Sequence, residues 1–501
     1  MLNKQWAHLK SGTDIRGVAF CDDESKLDLT DDAVYAIAGA FAKWLGAKCG
    51  KTDLTVALGH DSRVSAPRIK KAVISALTEC GVKVYDCGLS STPSMFMATI
   101  TDIACDGSIE ITASHHPSDK NGLKFFTKDS GLEGEDITAL LEYAQAGEKL
   151  ESDKEGEVVK YDFMAVYAKH LRDIICKEVN AENYEKPLEG LKIIVDAGNG
   201  VGGFYVKDVL EVLGADCSGS QFLDPDGMFP NHIPNPENKE AMDSACSATL
   251  ANNADLGIIF DTDVDRMGCV DKNGNEINRN RLIALASVIA LENCSGGTIV
   301  TDSLTSDGLR KFIEKDLGAK QLRFKRGYKN VINKSIELNN EGIESPLAIE
   351  TSGHAALKEN YFLDDGAYLA TKIVVKLAQL SKQGKKLEDL IGTLEEPVEE
   401  EEIRFKINLE DFKEYGEKVL ADLAEFSKEI DGWEIEKVNY EGVRINFPQG
   451  WLLLRLSVHD PILPLNIETN ESRKAIEVIN ILKQFFVKYD MLDLTNLNKY
   501  N

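Results

Sequence analysis

Hydrophobic positions fall into the same order three times along the chain. In LTVALGHDSRVSAPRIKKAVISALTECGVKVYDCG an apolar, β-branched run leads through a polar loop into a helix-spaced stretch, a glycine (Gly81) and a second apolar run. LKIIVDAGNGVGGFYVKDVLEVLGADCSGS repeats that order and closes its helix at Gly214; GTIVTDSLTSDGLRKFIEKDLGAKQLRFKRG repeats it again and closes at Gly318. A continuous apolar run suits a strand buried on both faces, and a glycine past a helix end takes the left-handed conformation. Strand–helix–strand units imply right-handed crossovers and parallel pairing, so three such units predict three similar α/β domains. Beyond Leu394 the pattern changes. EEPVEEEEIRF reads as a charged, solvated connector. After it, strands such as VRINF and WLLLRLSV alternate with helices predicted at Leu409–Ile430 and Ser472–Lys488. The predicted class is therefore α/β: three similar α/β domains with mixed, largely parallel sheets over 1–155, 156–275 and 276–392, then a C-terminal α+β domain over 398–501.

Composition narrows the function. A chain of 501 residues exceeds what one core holds. A net charge of −26 argues against a nucleic-acid partner, since phosphate backbones need clustered Lys and Arg. It leaves room for a small phosphorylated substrate held by a local basic site; the acidity itself reads as solubility. MLNKQWAHLKSGTDIRG has no apolar stretch of signal-peptide length, and no run of about eighteen apolar residues suggests a membrane span. The 10 cysteines lie singly between Cys21 and Cys294 without a CxxC pair, as expected of reduced thiols in a cytoplasmic protein.

In folds built from parallel strands the chemistry gathers in loops after strand ends. The sharpest such loop is in LGIIFDTDVDRMGCV, where an apolar run enters Asp261, Asp263 and Asp265. In an extended chain the two-residue period would point all three carboxylates one way. Crowded like charges call for a neutraliser, and a hard divalent cation such as Mg²⁺ is the usual one. An EF-hand calcium loop fits badly, because Arg266 and Lys272 stand where its glycine and glutamate belong. Mg²⁺ on carboxylates is typically there for a phosphate, and Arg266 adds a fixed cation beside it. A second loop, ITASHHPSDKNGLKFF, places Ser114 among turn-forming residues; on local chemistry it is a nucleophile, a cap or a turn residue. A serine that became phosphorylated would supply a further oxygen ligand to the cation.

With these residues in hand, the chain resembles the α-D-phosphohexomutases. TASHHP (Thr112 to Pro117) looks like their phosphoserine loop T-[AG]-S-H-N-P, and DTDVDR like their metal loop D-G-D-x-D-R. ETSGH (Glu350 to His354) resembles their sugar-selecting loop, SGTDIRG their N-terminal segment, and GHDSRVSAP a further stretch, in family order. The resemblance implies a four-domain enzyme that moves phosphate between C1 and C6 of a hexose, mannose or glucose, through a bisphosphorylated sugar. Hexose 1,6-bisphosphate would then be activator and intermediate. Ser114 would carry the phosphoryl group, and Ser114, Asp261, Asp263 and Asp265 would hold Mg²⁺. Arg16, Lys124 and Arg266 match residues around the transferring group, where phosphoryl transfer needs positive charge and in-line placement. Acid–base work falls to Lys124 or His115. Glu350, Ser352 and His354 would bind sugar hydroxyls, with Thr351 pointing to glucose or mannose. Arg326, Tyr328 and Lys329 fall at another substrate loop.

The C-terminal phosphate loop departs from the family pattern R-x-S-G-T-E-P-x-x-R. In RLSVHDPILPLNIE, Arg455, Ser457 and Pro461 are kept, Asp460 stands for the glutamate, Val458 and His459 replace Gly-Thr, and Pro464 replaces the second arginine. Backbone N–H groups of residues 457 to 460 could still cradle a phosphate, with His459 as a replacement donor. Two other readings compete. FDTDVD partly mimics the D-x-D-x-[TV] loop of aspartyl-phosphate phosphatases, but its fifth position is Asp265 rather than Thr or Val. A non-catalytic sugar-phosphate binder has only the altered C-terminal loop in its favour.

Overall fold

The computed structural model describes residues 2–457 and 460–500; His459 and Val458 lie outside the described residues. The chain divides into two compact units. One holds the residues up to Arg279 with Ser352–Ala356 and Leu363–Asp389; the other holds Asn280–Thr351, Leu357–Phe362 and the chain from Leu390 onward.

In the first unit, the first repeat forms as its pattern predicts: strand Thr55–His60, helix Ala66–Glu79, Gly81 at φ +75° and strand Lys83–Leu89. Thr55–His60 pairs in parallel with Lys83–Leu89 and with Gly107–Ile111. The strand Gly107–Ile111 is buried throughout, and its Ile109 shares one core with Val56 and Leu58 of the neighbouring strand and with Phe41, Leu45 and Val73 of the covering helices. The helix Asp31–Cys49 supplies the first two of these. Thr30 caps its start by accepting from Ala33 N–H, two aspartates sit in its first turn, and Gly50 ends it at φ +67°.

The sheets are mixed for a reason that bears on function. Gly107–Ile111 turns back into Lys120–Thr127 as an antiparallel pair, and Leu256–Phe260 turns back into Met267–Asp271 in the same way. Both chemically marked loops, 112–119 and 261–266, are therefore hairpin connections grafted onto parallel strands, Leu256–Phe260 itself pairing in parallel with Ile193–Asp196.

The second repeat is less regular than its pattern predicts. After Ile193–Asp196 the helix contains a π-helical turn, Tyr205–Leu210, and the returning segment touches the sheet only at isolated bridges, Lys192 to Asp216 and Asp196 to Gln221. DCSGSQ has no apolar run to hold a strand, and Gly219 there stands at φ +105°. In the second unit the third repeat forms with Thr298–Thr301 parallel to Lys320–Arg323 and to Leu347–Ile349.

The C-terminal sheet runs Glu434–Ile435, Val443–Phe447, Gly450–Leu454, Ile462–Thr469, Glu399–Ile407, Leu492–Asp493, each strand antiparallel to its neighbours. Here the reading of EEPVEEEEIRF as a solvated connector is corrected. Glu399–Ile407 is a strand, because Ile403, Phe405 and Ile407 alternate inward beneath the run of glutamates. The two predicted helices form with shorter ends, as Phe412–Ser427 and Lys474–Phe486.

Glu468 is 8% exposed on this sheet, and burial pushes its carboxyl up to about 7. The folded state thus binds a proton that the unfolded chain releases near 4.5. The resulting stability is present below that value and is lost as pH rises to about 7, at about 1.4 kcal/mol per unit. Glu468→Gln should flatten the fall in melting temperature between pH 5 and 8; an unchanged pH slope would assign the fall to other groups.

Cys80, Cys87, Cys105, Cys217 and Cys269 are buried and all ten cysteines are free thiols, Cys49 alone being exposed. Among the described residues no helix is long and apolar enough to cross a membrane.

Candidate active site

The 112–117 loop is held from beneath by a residue that sequence reasoning passed over. Arg63, itself 1% exposed, donates to the carbonyls of Ser114, His116, Pro117 and Lys120, at 2.5, 2.6, 2.7 and 2.9 Å. Asp61 anchors the arginine and also accepts from Thr112 Oγ1 at 2.7 Å. Four carbonyls on one guanidinium fix the path of the loop, and Ser114 sits at its apex with φ +52°. A non-glycine residue in the left-handed region costs free energy and persists only where its surroundings over-determine it. Arg63→Ala would leave Asp61 buried without its partner and should cost about 3–5 kcal/mol, read as a fall in denaturation midpoint; a change below about 1 kcal/mol would mean that the loop holds itself.

Ser114 Oγ lies 3.1 Å from Asp261 Oδ2, 3.2 Å from His115 Nδ1 and 3.3 Å from Arg266 Nη2. The structure thus brings together the serine and the acidic loop that the sequence places 147 residues apart. It does so by a different route from the extended alternation expected of DTDVD. The strand ends at Phe260, and the loop then curls, with Val264 at φ +65° and its carbonyl bonded to Gly366 N–H at 3.1 Å. Carboxylate oxygens of Asp261, Asp263 and Asp265 converge to within 4.8 Å of one another, all buried. A glycine permits this packing: a Cβ on Gly200 would stand 2.5 Å from the Thr262 carbonyl oxygen.

Cations surround the three carboxylates. Arg266 donates from Nε and Nη2 to Asp261 Oδ2 at 3.1 and 3.0 Å and from Nη1 to Asn235 Oδ1 at 3.3 Å. Lys124 reaches Asp263 Oδ2 at 2.9 Å and Asp265 Oδ2 at 2.5 Å. Burial and the neighbouring Asp265 hold the Asp261 carboxyl well above the usual carboxylate range. Burial acts the same way on Asp265, but Lys124 and Arg266 outweigh it and leave that carboxyl below its ordinary value. His115 is pushed down to about 2, chiefly by burial and then by Arg266, so its ring is neutral near pH 7. Arg16 pairs with Asp14 at 2.7 Å and lies near enough to His115 to lower it further. Ser352 Oγ lies 2.9 Å from His354 Nδ1, and His354 Nε2 stands 3.9 Å from Asp265 and 3.6 Å from Asp364.

The remaining predicted residues belong to the second unit. Glu441, unnoticed in the sequence, organises them: its carboxylate accepts from Ser303 Oγ at 2.5 Å and Arg326 N–H at 3.1 Å, and pairs with Arg455 at 3.8 Å. Burial pushes the Arg455 guanidinium below its ordinary value, Glu441 opposes that, and Arg326 adds to it as a like charge. Glu350 accepts from Gly327 N–H at 2.6 Å, and Thr351 is bonded to Asp302 at 2.7 Å. The expected backbone cradle at 457–460 is partly corrected: Ser457 N–H is taken by the Ile462 carbonyl and Asp460 N–H by Ser457 Oγ.

Three family models described as phosphoglucomutase/phosphomannomutase, alpha/beta/alpha domains I, II and III, match residues 9–151, 165–274 and 278–397. The chain belongs to the phosphoglucomutase/phosphomannomutase family. It is 31% identical over 472 residues to a phosphoglucomutase of Neisseria gonorrhoeae, covering 93% of this chain and 94% of that protein. It is 31% identical over 446 residues to the phosphomannomutase/phosphoglucomutase of Pseudomonas aeruginosa, covering 87% and 90%. A crystal structure of a phosphoglucomutase/phosphomannomutase family protein from Burkholderia thailandensis superposes with a TM-score of 0.79 at 28% identity, covering 97% of this chain and 98% of that one. Like the family, the chain is built from three α/β domains and a fourth, β-rich one.

Within this phosphoglucomutase/phosphomannomutase frame the acidic loop fits a hard divalent cation. Its donors are carboxylate oxygens, and Asp263 Oδ1 and Asp265 Oδ1 are buried with no hydrogen-bond partner. Lys124 and Arg266 bring two positive charges to three crowded, buried carboxylates, which leaves negative charge for a cation to neutralise.

Proposed function

We propose that this phosphohexomutase interconverts hexose 1-phosphate and hexose 6-phosphate, with mannose, glucose or both as substrate, through a phosphoserine at Ser114. The observation that carries the reading is a strained, buried serine whose Oγ is held between Asp261 and Arg266. Asp261, Asp263 and Asp265, with the Ser114 oxygen, would hold Mg²⁺, which when bound supplies charge neutralisation for the phosphoryl group. A sugar hydroxyl oxygen forms the new bond to phosphorus while the bond to Ser114 Oγ breaks, the electron pair staying on Oγ. Lys124, held as an ammonium by Asp263 and Asp265 while no cation is bound, would act in its neutral amine form, taking the hydroxyl proton and passing it to the freed Oγ; His115, at about 2, is too weak a base near neutral pH. The hexose 1,6-bisphosphate so formed returns its other phosphate to Ser114, leaving the isomeric monophosphate. Arg16 and Arg266 oppose the charge on the equatorial oxygens.

Sugar hydroxyls are assigned to Glu350, Ser352 and His354, and the non-reacting phosphate to Arg326, Arg455 and Ser457. The sequence division into domains at 1–155, 156–275, 276–392 and 398–501 is part of the same reading, as is a cytoplasmic setting. A phosphatase using Asp261 as nucleophile is disfavoured, since Arg266 already occupies that carboxylate through two nitrogens. A coupled assay across glucose, mannose and glucosamine 1-phosphates tests the proposal. Turnover of glucose or mannose 1-phosphate is expected; release of inorganic phosphate without isomerisation would favour the hydrolase.

Arg455 offers a more local check. A charged hydrogen bond to phosphate is worth roughly 1.5–3 kcal/mol. Arg455→Ala should therefore lower kcat/KM by about 10- to 150-fold while Ser114 still takes up phosphate. Wild-type kcat/KM in that variant would place the second phosphate elsewhere.

A further inference from the structure

The helix Thr92–Ile100 begins against the acidic loop, and its first residue does more there than start a helix. Capping is done by Ser91, whose hydroxyl accepts from Ser94 N–H at 3.3 Å, with Ser94 Oγ returning to Ser91 N–H at 3.2 Å. Pro93 has no N–H to satisfy. That leaves the Thr92 N–H as the orphan donor of the first turn, and it goes to the Asp263 carbonyl oxygen at 3.0 Å. The Thr92 hydroxyl, which the cap does not need, donates to Asp263 Oδ2 at 2.5 Å. Both residues are buried, Thr92 at 4% and Asp263 at 0% exposure. Thr92 follows the strand Lys83–Leu89 of one sheet and Asp263 follows Leu256–Phe260 of another, so these two bonds tie the acidic loop to the sheet that carries Ser114.

From this geometry we propose that Thr92 is a positioning residue that orients the Asp263 carboxylate for the cation; the inference rests on the metal reading of the acidic loop. Asp263 Oδ2 receives Thr92 Oγ1 and Lys124 Nζ, whereas Oδ1 is buried and receives nothing. The carboxylate is thereby turned so that Oδ1 is the oxygen left for a cation. The two donors differ in kind. Lys124 is an ammonium that a divalent cation would repel, while a neutral hydroxyl keeps its bond when positive charge arrives. Thr92 therefore holds the orientation in both states. Partners that fix ligand side chains in this way typically change metal affinity by about 10- to 100-fold when removed.

Equilibrium titration of Mn²⁺ into the full-length protein, by calorimetry and by the free-Mn²⁺ electron spin signal, tests this without turnover. Thr92→Val keeps the shape and removes the hydroxyl; it should raise the Kd about 10- to 100-fold while its melting curve in chelator stays close to wild type. Thr92→Ser restores the donor and should bind as wild type does. Thr92→Ala, lacking the hydroxyl without adding bulk, should weaken binding like Thr92→Val and stands in for it if that variant does not fold. Wild-type affinity in either hydroxyl-less variant would overturn the proposal. So would a Thr92→Ser variant weakened as much as Thr92→Val, which would assign the effect to packing of the methyl group. A wild-type protein that binds no Mn²⁺, or an Asp263→Asn variant that binds it unchanged, would instead remove the metal reading beneath both.

Discussion

Ser114→Ala should lower kcat for hexose 1-phosphate isomerisation by at least about 10³-fold, with little change in substrate binding. The size follows from the step removed: without Oγ the loop loses the oxygen that faces the acidic loop and would hold a phosphoryl group between the two half-reactions. The structure holds Oγ between the Asp261 carboxylate and the Arg266 guanidinium. Alanine should also be accepted without unfolding, since Arg63 grips the loop by its carbonyls rather than by its side chains. Intact mass after incubation with a hexose 1,6-bisphosphate gives a second readout. Wild type should gain one phosphate and Ser114→Ala none. If the variant takes up the same mass, or keeps kcat within tenfold, the phosphoryl carrier is another residue.

The residues involved show how far one sequence can be read. Helix, glycine and strand could be placed in the first repeat because periodicity, cap and apolar run agree there. In the second repeat the polar DCSGSQ segment satisfies the spacing but not the burial, so the returning strand reduces to isolated bridges. The glutamate run at 399–402 concealed a strand because net charge drowned the alternation of Ile403, Phe405 and Ile407 just after it. Both readings failed where composition and period disagreed.

At the site, the residues that carry charge were legible and those that hold them were not. Three aspartates after an apolar strand announce themselves, and the family resemblance located Ser114. Arg63, Thr92 and Glu441 were missed because their work is done through backbone carbonyls or across long sequence separations. Arg63 reaches carbonyls 51 to 57 residues away, Thr92 an aspartate 171 away and Glu441 a serine 138 away. A buried arginine or threonine has no local periodic signature, and the resemblance of GHDSRVSAP to a family stretch assigns no role to Arg63. The curl at Val264 was equally hidden, since a β-branched residue is the least expected occupant of the left-handed region.

That curl is what crowds the three carboxylates together. Asp263→Asn keeps the size of the side chain and its bond to Thr92, but removes one of the three carboxylates proposed to hold the cation. Loss of cation charge at the phosphoryl group should lower kcat by about 10²- to 10³-fold, several kcal/mol of barrier. Stability should move the other way. Three carboxylates buried within 4.8 Å of one another repel, and burial with that repulsion already holds Asp261 well above its usual range. A neutral amide relieves the crowding, so in chelator the variant should melt no lower than wild type. On adding Mg²⁺ the wild type should gain stability by linkage while the variant gains less. Active sites commonly trade stability for function in this sense. A variant that keeps full activity at low Mg²⁺ would reduce the acidic loop to a structural turn. One that melts well below wild type in chelator would mean the Lys124–Asp263 pair, at 2.9 Å, outweighs the repulsion and is the loop's main support before any cation binds.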